Sequence, residues 1–144
     1  MFLSTSFHRL SVGVVLLSLG TLSACSEKPD EPAPLPGRWN LVTQHSINTD
    51  VTTGQVVAEQ HLAGTAADYL VISITSFDEY RDNQLHFTAP YTYAGSTISM
   101  QSTNPRTDLS REVRELTSNK LVLHYKLPVI VNNQQVTIDA TYSR

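Results

Sequence analysis

From Gly37 onward the chain shows no sustained helical period. Its apolar residues recur at every second position, the spacing of half-buried strands. The clearest case lies near the C-terminus. Leu121, Leu123, Tyr125, Leu127, Val129 and Val131 share one face, and Val136, Ile138, Ala140 and Tyr142 share one face of the next run. Between them stands Asn132-Asn133, a pair that tolerates the left-handed backbone of a tight hairpin. A two-residue loop there sets a register. It places Val131 opposite Gln134, Val129 opposite Val136, Leu127 opposite Ile138, Tyr125 opposite Ala140 and Leu123 opposite Tyr142. On the other face, Lys126 falls opposite Asp139. Pro128 has no N–H to give to a ladder, so it is predicted at an edge or a bulge.

Upstream, Arg111 to Leu116 reads as a strand in which Val113 and Leu116 are three apart. A bulge near Arg114 would return both to one face. Thr117-Ser118-Asn119-Lys120 is a turn candidate. Earlier strands are predicted over 39–47, 55–62, 69–76, 85–93 and 96–101. Turns are expected at Asn48 to Gly54 and at Asp82 to Gln84, and a loop at Pro105 between Asn104 and Arg106. The adjacent acids Asp78 and Glu79 read as a solvated turn. Roughly eight strands at this spacing predict an all-β fold, an antiparallel up-and-down barrel, with a β-sandwich as the alternative.

The 144 residues suit one domain. A net charge of −3 with no basic stripe argues against nucleic-acid binding. The single cysteine excludes a disulfide within the chain. Its setting suggests its use. Arg9 precedes an apolar stretch from Leu10 to Leu19, too short to span a bilayer comfortably, and small residues lead to Leu22-Ser23-Ala24-Cys25. This resembles the lipobox of bacterial lipoproteins. The resemblance implies cleavage before Cys25, a diacylglycerol on its thiol and an acyl chain such as palmitate on the new amino group. Several chains together anchor stably where one does not. Residues 1–24 are then a signal peptide, 25–36 a proline-rich flexible tether, and 37–144 the exported domain. Ser26 after the cysteine resembles the outer-membrane sorting class. The acids Glu27, Asp30 and Glu31 resemble the export tag of surface lipoproteins in Bacteroidetes. The expected location is the outer membrane, with surface exposure as a further option.

Gly37-Arg38-Trp39 opens the first strand. Val113-x-x-Leu116-Thr117-x-Asn119-x-Leu121-Val122-Leu123 follows late in the chain, and Tyr142-Ser143-Arg144 closes it. Over residues 37–144 this order resembles the lipocalin-like domains of bacterial lipoproteins. The resemblance implies a barrel whose closed end is plugged by Trp39, with Arg144 packed over it. Leu109 follows Thr107-Asp108 where the lipocalin central motif carries tyrosine.

Catalytic signatures are missing. His45, His61, His86 and His124 show no metal-ligand spacing, and there is neither a nucleophile elbow nor a phosphate-cradling glycine loop. No enzyme, cofactor or metal is expected. His45 shares parity with Trp39 and Leu41 and is predicted to face inward. Tyr91 and Tyr93 share parity with Phe87, and with Met100 and Tyr125 they are candidates to line a cavity. Arg114, turned inward at its bulge, would meet an acidic group. The candidate pocket is therefore Trp39, His45, Tyr91, Tyr93, Met100, Arg114 and Tyr125. Two functions remain open: a lipid-anchored barrel holding a small amphipathic ligand, or a solid barrel docking on an envelope protein.

Overall fold

A computed structural model describes residues 34–101 and 109–144. The predicted leader, Cys25, nearly all of the predicted tether and the loop predicted at Pro105 lie outside the described residues. Nine antiparallel strands follow in order: β1 (Gly37–Asp50), β2 (Val56–Ala63), β3 (Tyr69–Ile72), β4 (Ser76–Arg81), β5 (Gln84–Ala94), β6 (Thr97–Met100), β7 (Arg111–Leu116), β8 (Lys120–Lys126) and β9 (Gln134–Ser143). Each of β3 to β9 pairs with the next, and β9 pairs with β1. The sheet thus closes on itself as an eight-stranded barrel, not a sandwich, with β2 as an additional strand outside the ring.

β1 serves two neighbours along one edge. Residues 37–40 pair with β3, and residues 43–49 pair with β2. Its other edge pairs with β9 through Asp50, so Asn48 to Asp50 extend the strand instead of beginning the predicted turn. Leu41 faces Tyr142 but Thr43 faces Thr141, which leaves Val42 as one extra residue. Such a bulge reverses the alternation beyond it. Below it Trp39 and Leu41 are buried; above it Gln44 turns inward and His45 turns out.

The chain crosses from β2 to β3 directly over this bulge. Gly64 N–H donates to the Val42 carbonyl at 2.8 Å, and Leu41 N–H donates to the Asp68 carbonyl at 2.9 Å. A side chain at Gly64 would collide with the backbone of Leu41.

The C-terminal hairpin turns at Asn132 and Asn133, both left-handed with φ of 51° and 62°. Val131 bridges Gln134 as the sequence predicts. Further in, the register moves by two residues, so that Tyr125 faces Ile138, Leu123 faces Ala140 and Leu121 faces Tyr142. Pro128 is the physical cause. With no N–H to donate, it sits where the chain leaves the ladder just beyond Lys126. A two-residue shift keeps every side chain on its face, so the core pattern survives. Leu127, Val129 and Val131 do not join that face and are exposed at 38%, 60% and 59%. Asp139 consequently meets His124, not Lys126.

The β7 bulge falls between Val113 and Glu115, at Arg114 as predicted. The predicted strand 69–76 is instead two strands. Ser73 Oγ accepts from the N–H groups of Thr75 (3.0 Å) and Ser76 (2.8 Å), closing a turn there. Asp78 and Glu79 therefore lie within β4 and not in a solvated turn.

The core fills the lower barrel with Trp39, Leu70, Ile72, Phe77, Ile98, Leu121, Leu123 and Tyr142. At the closed end, Trp39 Nε1 donates to the Leu35 carbonyl at 2.9 Å. The Arg144 guanidinium lies 3.9 Å over the indole and donates to the carbonyls of Pro34 and Pro36.

Replacing Gly64 with alanine forces the β2–β3 crossing away from β1. The expected loss is about 1–3 kcal/mol, the usual cost of overpacking. Urea denaturation measures it, and a change within error of zero would remove this crossing from the constraints on the barrel.

Candidate functional site

Above the packed core the barrel holds a charged cluster. β4 contributes Glu79 and Arg81, and β7 contributes Arg111, all facing inward. Glu79 Oε1 accepts from Arg81 Nε (3.0 Å) and Nη2 (2.9 Å), and Oε2 accepts from Arg111 Nη2 (3.0 Å). Arg81 Nη2 also donates to Gln44 Oε1 at 3.0 Å. The Arg111 guanidinium is held between two rings, 4.1 Å from Tyr125 and 4.8 Å from Phe77.

Two cations surround one anion, so the cluster carries a net positive charge. Burial alone would raise the Glu79 carboxyl; the facing Arg111 and Arg81 guanidiniums more than offset this and hold it below the ordinary carboxylate range. Burial pushes the Tyr125 and Tyr142 phenols upward, so both are neutral at physiological pH. Arg111 Nη1 is buried with no hydrogen-bond partner, as is the Tyr142 hydroxyl. A buried donor left unpaired costs about 1–3 kcal/mol, and more when charged.

This cluster borders a cavity of ≈ 360 Å³ at the barrel mouth. Its lining combines Glu79, Arg81, Arg111 and Gln44 with the apolar surfaces of Phe87, Met100, Leu109, Tyr125 and Ile138. An apolar wall with a few convergent polar groups is the usual make-up of a small-molecule site.

The seven residues predicted for the pocket do not converge. Met100 and Tyr125 line the cavity. Trp39 lies at the opposite, closed end, separated from the cavity by the core. Tyr91 and Tyr93 lie well down β5, which descends from the mouth. The Tyr91 hydroxyl donates to the Ser73 carbonyl at 2.8 Å at the closed end, and Tyr93 is 41% exposed beside the Gly95 turn. His45 points outward because Val42 reverses the parity of β1. Arg114 also points outward, being the bulged residue itself; it pairs with Asp139 (3.0 Å) and Glu112 (3.5 Å).

The sequence alone does not single out Gln44, Glu79, Arg81 or Arg111. One signal for Arg111 was present, since it shares parity with Val113. Glu79 was hidden because an adjacent acidic pair reads as a turn.

Glu79 should couple stability to pH. Its folded pKa lies below the unfolded value, so its contribution is present above the ordinary glutamate range and lost as pH falls through the folded pKa. Glu79→Gln strands two cations and should cost about 3 kcal/mol at neutral pH. It should also flatten the decline of stability on acidification. Melting curves across acidic pH check both, and an equally steep decline in the variant would assign the acid dependence elsewhere.

No family model and no curated protein matches the chain. Among solved structures, a lipocalin-like protein from Bacteroides uniformis is similar at 17% identity over 72% of this chain and 96% of that chain, with a TM-score of 0.40.

Proposed function

We propose that this chain is a lipid-anchored envelope barrel that binds a small amphipathic molecule bearing an acidic group. The observation that carries the reading is the mouth cavity lined in part by Arg111, whose buried Nη1 has no hydrogen-bond partner. An anionic oxygen placed there would satisfy the buried donor and balance the second guanidinium. Phe87, Met100, Leu109 and Ile138 suit an apolar body. The volume falls within the range of about 300–1,000 Å³ typical of ligand pockets. Leu127, Val129, Ile130 and Val131 stand exposed in the neighbouring loop, where a tail emerging from the mouth would meet apolar surface.

The anchoring half of the proposal rests on the lipobox-like run ending at Cys25. Cys25→Ser should abolish incorporation of labelled palmitate and move the protein from membrane to soluble fractions. Unchanged labelling would refute the attachment site.

The binding half is tested with a matched pair of probes, decanoate and decanol. Decanoate should bind at least about tenfold more tightly, the contribution of a charged hydrogen bond. Arg111→Gln should erase that preference. Met100→Trp fills the cavity without touching the charges and should weaken both probes. Equal binding of the two probes, or indifference to Met100→Trp, would overturn the reading.

A further inference from the structure

The outer wall of the barrel carries a second constellation. Above the Val42 bulge, His45 projects outward from β1, and its register partner on β2 is His61. The two imidazoles stack with centroids 4.1 Å apart and planes 5° from parallel. Glu59 stands two residues before His61 on β2, hence on the same face. Its Oε1 lies 2.6 Å from His45 Nε2 and 3.8 Å from His61 Nε2. One ligand atom from each of the three residues falls within 4.8 Å of the others.

We propose that His45, Glu59 and His61 form a binding site for a divalent transition-metal ion of the zinc class. The donor chemistry sets the class. Imidazole nitrogens suit zinc, copper and nickel, whereas calcium and magnesium take oxygen ligands. The spacing fits as well. Tetrahedral bonds of about 2.0–2.1 Å put neighbouring ligand atoms roughly 3.3 Å apart. The separations of 2.6 and 3.8 Å bracket that value, and because the rings stack 5° from parallel, ion binding turns the two imidazoles out of the stack until their Nε2 lone pairs converge. Three protein ligands leave a fourth position to water. Side-chain exposures of 29%, 52% and 74% keep that position open to solvent.

The site has a structural consequence. All eight residues of β2 are exposed, and among the described residues β2 pairs with β1 alone. An ion bonded to His45 on one strand and to Glu59 and His61 on the other ties this outlying strand to the barrel wall. None of the three residues lines the mouth cavity, so the site is independent of the proposed ligand.

The test is calorimetric titration of Zn²⁺ into the untagged full-length chain, with Cys25→Ser throughout so that the thiol supplies no ligand. One equivalent should bind. His45→Ala and His61→Ala should each lower affinity by more than the roughly 10–100-fold that loss of an outer-shell partner costs. His86→Ala and His124→Ala should leave it unchanged. Co²⁺ should give the visible absorption of a tetrahedral site in the parent and lose it in both ligand variants. Circular dichroism verifies the fold of each. Absence of binding, or binding that survives His45→Ala and His61→Ala, would overturn the proposal.

Discussion

One extra residue in β1 decides how the upper half of the molecule is arranged. The lower part of that strand is a wall of the core, with Trp39 and Leu41 inward. The upper part is paired on one edge by β9 and on the other by β2, outside the ring. Without the bulge at Val42, His45 would point into the barrel and Gln44 away from it. With it, Gln44 reaches Arg81, and His45 joins Glu59 and His61 on the exterior. Gly64 permits this, because only a residue without Cβ lets the β2–β3 crossing lie against the bulged backbone. The cavity and the outer histidine pair therefore depend on the same local insertion.

The inward cluster has an energetic cost that the rest of the core must offset. Removing charges from water is expensive, and a buried ion pair is weak evidence for stability. Here Glu79 is satisfied on both oxygens, while Arg111 retains an unpartnered Nη1. A barrel selected only for stability would fill this space with apolar side chains, as it does at the Trp39 end. The imbalance of two guanidiniums against one carboxylate is the electrostatic basis of the acidic ligand proposed above. Strand pairing is also shortest here among the described residues: β6 and β7 share only two register pairs, Thr97 with Glu112 and Ile98 with Arg111.

Much of the architecture was legible in the sequence because strand alternation and turn chemistry are local signals. Asn132-Asn133 and Asp82-Asn83 both turn through left-handed pairs, as their residue types require. The bulge at Arg114 was legible because Val113 and Leu116 had to share a face. The bulge at Val42 was not. Trp39, Leu41 and His45 keep an unbroken parity, and only pairing with β9 exposes the extra residue. The register of the last hairpin is hidden in the sequence for a related reason. Alternation has a period of two, so a two-residue excursion at Pro128 leaves the pattern unchanged. Site residues suffered most, since one undetected bulge exchanges inside for outside. Tyr91 and Tyr93 failed differently: parity assigned them to a face but said nothing of height along the barrel.

The outer histidine pair shows the same limit from another direction. Glu59 and His61 are two apart on one strand, but His45 lies in the preceding strand, so no linear spacing announces the trio. Only the β1–β2 register, with His45 opposite His61, brings the three together. This geometry also separates the two proposed sites physically. Successive residues of β1 face opposite sides, so Gln44 serves the cavity while His45 serves the exterior. The inner site is held by Arg81 and Glu79 on β4 and Arg111 on β7, the outer one by β2. A change of side chain at Glu59 or His61 leaves the Gln44–Arg81 hydrogen bond in place, and one at Arg111 or Met100 leaves the stacked imidazoles in place. Each site can therefore fail without the other.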